Sequence, residues 1–175
     1  PVGPLRLMSS GKVDPKKAVV EAIESVKWLK DEAGKTFFAV GGAWRSFARL
    51  HMEQAGYPLH IIHHYEIPAD DARAVARLVA AQSAKSLEKM PGVSRRRIDT
   101  LPLASLALER LLGALKPKTV VFSAFGLREG FYYSRLPPEE RQRHPLIAFA
   151  EEQGAGWRRF DLSPDEIFNW LSPAF

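Results

Sequence analysis

No cysteine occurs among the 175 residues, which excludes disulfides, thiolate-bound zinc and iron–sulfur clusters and fits a reducing compartment. No apolar run approaches the roughly 18 residues of a membrane span, and no basic-then-apolar leader stands at the start, so the expectation is a cytoplasmic protein without membrane contact. Acidic residues are the scarcer charge, 20 against 25 Lys and Arg, and the resulting formal charge of +5 favours polyanionic partners in general. Nucleic acid is the less favoured of these. No strand interleaves aromatic and basic residues, and Phe37, Phe38 and Phe122 read as core. An initiator methionine is also missing: the chain opens Pro1-Val2-Gly3-Pro4 and reads as part of something larger.

What is present is ordinary for a soluble globular chain, with 46% hydrophobic and 26% charged residues and the length of one domain. Such a length buries about 68–70% of the unfolded surface. After a turn and a short apolar piece up to Met8, Asp14 is an N-cap with Pro15 at the first helical position. Val19, Val20, Ile23, Val26 and Leu29 then repeat at helical spacing up to Gly34, predicting a helix of about 18 residues and roughly 27 Å. Met8 and Trp28 are expected to pack with this stripe.

Thr36 to Val40 is a strand candidate that empties through Gly41-Gly42-Ala43 into an amphipathic helix carrying Trp44, Phe47, Leu50 and His51. Glycines there let backbone approach a ligand closely, because no Cβ intervenes. Leu59 to Tyr65 holds His60, His63 and His64. On an extended segment His60 and His64 share one face while His63 lies on the other, with only Glu66 as a nearby carboxylate. A surface strand or loop is therefore expected rather than a metal site. Pro68 to Asp71 starts a helix with Val75, Leu78 and Val79 inward and Arg73 and Arg77 outward, continuing through Leu87 and Met90 to Pro91-Gly92. Arg95, Arg96 and Arg97 begin the next helical segment. From Leu101 to Leu115 the residues are apolar almost all round, which predicts a buried helix.

Thr119-Val120-Val121-Phe122 is a second buried strand. Ser123-Ala124-Phe125-Gly126 turns it into a helix beginning Leu127-Arg128-Glu129-Gly130. Strand, small-residue turn, helix leaves backbone N–H groups facing outward for an anion. Alternation of this kind argues for an α/β layered architecture. Beyond Tyr133, residues 136–143 read as a linker or exposed turn. His144-Pro145 leads a short apolar helix with Leu146, Ile147, Phe149 and Ala150 that Gly154-Ala155-Gly156 ends, and Ser163 caps a last one carrying Ile167, Phe168, Trp170 and Leu171.

Ser123-Ala124-Phe125-Gly126-Leu127-Arg128-Glu129-Gly130, preceded by Arg97-Ile98-Asp99-Thr100-Leu101-Pro102 and the long apolar helix, closely resembles the exopolyphosphatase/guanosine pentaphosphate phosphohydrolase (Ppx/GppA) family. The resemblance implies a partial actin-like half-domain of the ribonuclease H-like (ASKHA) superfamily. Residues 1–135 would form most of the second actin-like half, and residues 136–175 a linker and the start of a helical C-terminal extension. It also implies a hydrolase that releases terminal phosphate from inorganic polyphosphate or guanosine pentaphosphate, dependent on Mg2+, in a parent protein that forms a homodimer.

By resemblance, the residues expected to meet substrate phosphates are Arg97, Gly41, Gly42, Gly126 and Arg128. The family's catalytic glutamate and its glycine-rich phosphate loops match nothing in this sequence. Glu129 reads as a helix-start carboxylate favoured by the dipole. The expectation is therefore a chain that is inactive alone, completed by an N-terminal half and prone to self-association through an exposed sheet edge. Two other readings fit the same features: a non-catalytic polyanion- or nucleotide-binding α/β module, and a fragment of another actin-like ATPase or kinase.

Overall fold

In a computed structural model the described residues are 3–9, 14–157 and 163–174. The opening turn expected at Pro1 and Val2 lies outside them, as do residues 158–162 and Phe175 of the tail. The chain divides into two compact units, Pro1–Leu127 and Arg128–Phe175.

The first unit is organised around the all-apolar helix. Strand β1 (Phe37–Val40), β2 (Tyr65–Pro68) and β3 (Thr119–Ser123) form a sheet in the order β1-β3-β2. β1 runs parallel to β3, with Val40 opposite Ser123, and β2 runs antiparallel to it, with Tyr65 opposite Phe122. Alternation puts Phe37, Ala39, Val120, Phe122, Tyr65 and Ile67 on one face. They join the main core there. The opposite face leaves Phe38 and Val40 of edge strand β1 exposed.

Helix α6 (Leu101–Leu115) packs against helix α3 (Gly42–Gln54) and helix α4 (Ala69–Ala80), and also against α1 (Pro4–Ser9) and α2 (Pro15–Glu24). Neighbours on several sides are the physical reason for its all-round apolarity. Leu101, Leu108 and Leu112 belong to the core that holds Phe47 and Phe122, while Ala107 joins Leu7 and Val19 in a second cluster. Each fully buried leucine of this kind contributes about 1.5–3 kcal/mol. Ala69, Ala72 and Ala76 on α4 are buried and small, which lets α4 lie close to α6. The helix ends at Lys116, held in the left-handed region (φ 46°, ψ 50°), just before Pro117.

Several local expectations change. The predicted 18-residue helix stops at Glu24, and Lys27–Glu32 continues as a 3-10 helix. A 3-10 turn advances 120° per residue instead of 100°, which takes Trp28 off the stripe; it is 63% exposed. Met8 is also exposed. The helix from Ala69 breaks after Ala80, and a separate turn, α5 (Ala84–Leu87), follows with Ser83 capping it. Leu78 faces solvent rather than the core. Asp14 does cap α2, its Oδ1 accepting from the Lys16 amide at 3.0 Å.

The second unit is helical: α7 (Leu127–Arg135), α8 (Pro138–Gln142), α9 (Pro145–Ala155) and α10 (Pro164–Leu171). Most of the stretch read as a linker is thus a short helix, with Glu139 and Glu140 favourably placed in its first turn. Arg143 bridges Glu140 and Glu151. Ser163 and Glu166 form a reciprocal capping box at the start of α10. No helix among the described residues is long and apolar enough to cross a membrane.

Candidate functional site

The parallel pairing of β1 and β3 brings two strand-to-helix turns side by side, because Val40 opposite Ser123 sets Gly41 beside Ala124. In open α/β sheets ligands bind beyond the carboxyl ends of the parallel strands. Arg45, in the first turn of α3, ties the two turns together: its Nη1 donates to the Ala124 carbonyl oxygen. Ser123 Oγ accepts from the Phe125 amide at 3.1 Å and fixes the second turn.

Two neighbouring glycines are required for different reasons. Gly41 has φ 130° and ψ 160°, a region essentially restricted to glycine. It is the N-cap of α3 and supplies no side-chain cap, which leaves the amides at the helix start without the usual side-chain acceptor. Gly42 is constrained by a neighbour. A Cβ there would lie 2.8 Å from Arg97 Nη2 and 3.2 Å from its Cζ, so the guanidinium rests on the glycine face.

Arg97 closes the 3-10 turn Arg95–Arg97, and the chain then passes through Thr100, whose Oγ1 donates to the Arg97 carbonyl at 3.2 Å, into α6. Arg95 and Arg96 are exposed whereas Arg97 is half-buried. Of the three consecutive arginines, only Arg97 is directed at the glycine turn. Beside it lies a cavity of about 410 Å³ between α1, the start of α3 and α6, lined by Leu5, Val40, Gly41, Trp44, Arg97 and Leu111 among others. Arg97 is the only charged residue among the described residues of that lining. Trp44 is held in place there: its Nε1 donates to the Ala104 carbonyl at 3.1 Å, and its ring meets Phe37 edge-on at 5.7 Å. A positive guanidinium and the positive end of a helix at one mouth suit an anionic group.

Of the five residues expected to meet phosphate, Gly41, Gly42 and Arg97 are brought together at this mouth. Gly126, half-buried, ends the turn that follows β3 in the same unit. Arg128 is exposed in the first turn of α7 and belongs to the second unit, as does Glu129.

The histidine segment packs against the β3 turn. The His64 amide donates to the Phe122 carbonyl at 3.0 Å, and the His63 ring lies 4.6 Å from Phe125 and 4.7 Å from His64. His63 Nδ1 is buried without a hydrogen-bond partner among the described residues, and burial, then the charge on His64, lowers its pKa. His60 instead faces Glu53, Nε2 to Oε1 at 3.0 Å. Among the described residues no group of three or more His, Cys, Asp or Glu side chains could hold a metal ion.

Arg73 and Arg77 face outward as expected, their side chains 42% and 68% exposed, and with Arg110 they also gather around Glu109 of α6, whose side chain is only 8% exposed. A carboxylate cannot be buried inside an apolar helix unpaired, and the arginines of α4 supply the countercharge. The sequence signal for this cluster was the lone carboxylate in the Leu101–Leu115 run.

Comparison with known proteins identifies the family. A yeast protein, retrograde regulation protein 2 of Saccharomyces cerevisiae, is 31% identical over 136 residues, covering 71% of this chain and 22% of its own. A solved Ppx/GppA family member from Aquifex aeolicus superposes with a TM-score of 0.58 at 20% identity, over 82% of this chain and 49% of that one. A solved exopolyphosphatase-like protein gives a TM-score of 0.59 at 20% identity, over 74% and 46%. The chain thus spans about a fifth of the curated relative and about half of these solved structures. Residues 8–139 match the Ppx/GppA phosphatase family, and the chain belongs to it.

Proposed function

We propose that this chain supplies the phosphate-contacting wall of a hydrolase that releases terminal phosphate from a phosphoanhydride, with inorganic polyphosphate or guanosine pentaphosphate as substrate. The observation that carries the reading is Arg97, seated on Gly42 at the uncapped start of α3 and beside the cavity. In phosphoryl transfer, charge develops on the oxygens of the transferred group as water attacks in line. Cations and aligned N–H groups stabilise that charge. Arg97 and the first amides of α3 are the groups suited to this task, with Gly126 of the same unit as a further substrate contact.

The described carboxylates include none at the cavity mouth to orient the attacking water. In this proposal the base and the remaining phosphate loops come from the portion of the family fold that this chain does not cover, and the chain alone is inactive. Among the described residues no cluster of three or more His, Cys, Asp or Glu side chains gathers, and in this reading Mg2+ enters as the ion carried on the substrate phosphates. The apolar lining from Leu5, Val40, Trp44 and Leu111 favours a second reading of the substrate, a guanosine polyphosphate whose base meets those side chains rather than bare polyphosphate.

The test is phosphate release, with Mg2+, from long-chain polyphosphate and from guanosine pentaphosphate. It is run on this chain and on a family protein that contains it together with the uncovered portion. Release by the longer protein but not by this chain is expected. Inactivity of the longer protein on both substrates refutes the hydrolase, and saturable binding without release would identify a binding module. Transfer of phosphate to an acceptor other than water would identify a kinase.

A further inference from the structure

A second cavity of about 410 Å³ lies in the same unit, lined by Lys16 at the start of α2, Arg73 and Arg77 on α4, and Glu109 and Arg110 on α6, with Pro102, Leu103 and Leu106 among the rest. Among the described residues it shares no lining residue with the cavity beside Arg97. Four cations and one carboxylate leave it a formal charge of +3. Glu109 Oε1 accepts from Arg73 Nε at 3.2 Å and faces Arg77 Nη2 at 3.5 Å, while Oε2 meets Arg110 Nε at 3.2 Å.

The geometry leaves donors over. A guanidinium has five N–H groups, and Arg73 and Arg110 each use only Nε on Glu109. Their Nη groups make no other hydrogen bond among the described residues, and the ammonium of Lys16 has no ion pair there. Arg73 is further held by lying against Gly113, where a Cβ would stand 2.9 Å from Nη2. A buried carboxylate that needed only neutralising would require one or two cations. Here it anchors three guanidinium groups at the wall of a cavity.

We propose that this cavity is a second anion site, taking a multiply charged phosphate chain. Arg73 and Arg110 are pre-oriented by Glu109, and Arg77 and Lys16 close on the ligand. Guanidinium forks match pairs of phosphate oxygens, and a net +3 suits an anion of several charges better than a single carboxylate. The site is independent of the Arg97 cleft and extends the contact surface of a polyanion to a different face of α6.

The experiment is calorimetric titration of this chain with inorganic tripolyphosphate. The expected stoichiometry is two equivalents. Lys16→Gln with Arg77→Gln should lose one of them, its Kd weakening by at least about tenfold for lost charge-assisted hydrogen bonds. Both side chains are largely exposed, and Arg73 and Arg110 still neutralise Glu109, so the fold is kept; an unchanged melting temperature checks this. Arg97→Gln should remove the other equivalent alone. Two equivalents with unchanged Kd in the Lys16/Arg77 variant overturn the second site, as does a single equivalent in the wild type that Arg97→Gln abolishes. If Arg97→Gln leaves both equivalents, the cleft reading fails and the second site stands.

Discussion

Replacing Gly41 and Gly42 by alanine, one at a time, should separate backbone strain from ligand contact although the residues are adjacent. Among the described residues nothing would stand within 4 Å of a Cβ at Gly41, so the constraint they show there is φ 130° with ψ 160°. Forcing an L side chain into that region costs about 1–3 kcal/mol. For a chain of this size that is a fall in Tm of about 3–10 °C. Gly42 is helical, and alanine there gains up to about 1 kcal/mol of helix propensity. Against that gain stands the 2.8 Å approach to Arg97 Nη2, which the flexible end of the arginine relieves by shifting. Gly42→Ala should therefore melt within about 2 °C of wild type while weakening tripolyphosphate binding at the cleft by about five- to tenfold, because one charge-assisted hydrogen bond is misplaced. Scanning calorimetry and titration on the same samples read both effects. Wild-type melting of Gly41→Ala, or unaltered binding by Gly42→Ala, would refute the reasoning.

Two further outcomes follow from the first unit. His51 Nδ1 stands 2.8 Å from the Tyr65 hydroxyl, and burial lowers its pKa below the ordinary 6.5, only partly opposed by Asp71; His63 shifts the same way. The unfolded chain therefore binds protons more readily, so this stability is full above about pH 6.5–7 and is lost as pH falls through the lowered folded values. The Tm of wild type should drop more between pH 7 and about pH 5 than that of His51→Gln, and an equal drop would contradict the burial assignment. Phe38, 61% exposed on edge strand β1, should promote self-association. Phe38→Lys should shift sedimentation toward monomer, and an unchanged distribution would place association elsewhere.

The elements legible in the sequence were those whose signal is local and strong. Helix α6 begins and ends where the apolar run does, and β1 and β3 lie within a residue of their β-branched and aromatic runs. Strand β2 was hidden because only Tyr65 and Ile67 alternate inward before Pro68, and its pairing with β3 depends on residues more than fifty positions away. The pairing of Arg73 and Arg77 with Glu109 is equally non-local; helix periodicity alone places those arginines on a solvent face. At the cleft, the glycine turns were visible as punctuation. What singles out Arg97 from Arg95 and Arg96 is the seating of its guanidinium on Gly42, a tertiary contact that no spacing encodes.

The most direct measurement uses Trp44, which lines the cleft, as a local reporter in a chain whose exposed Trp28, Trp157 and Trp170 are replaced by phenylalanine. Tripolyphosphate should change the Trp44 emission saturably, and Arg97→Gln should weaken that response by about tenfold. A Trp44 signal that does not respond, or that responds equally without the Arg97 guanidinium, would contradict the assignment of this cleft to phosphate.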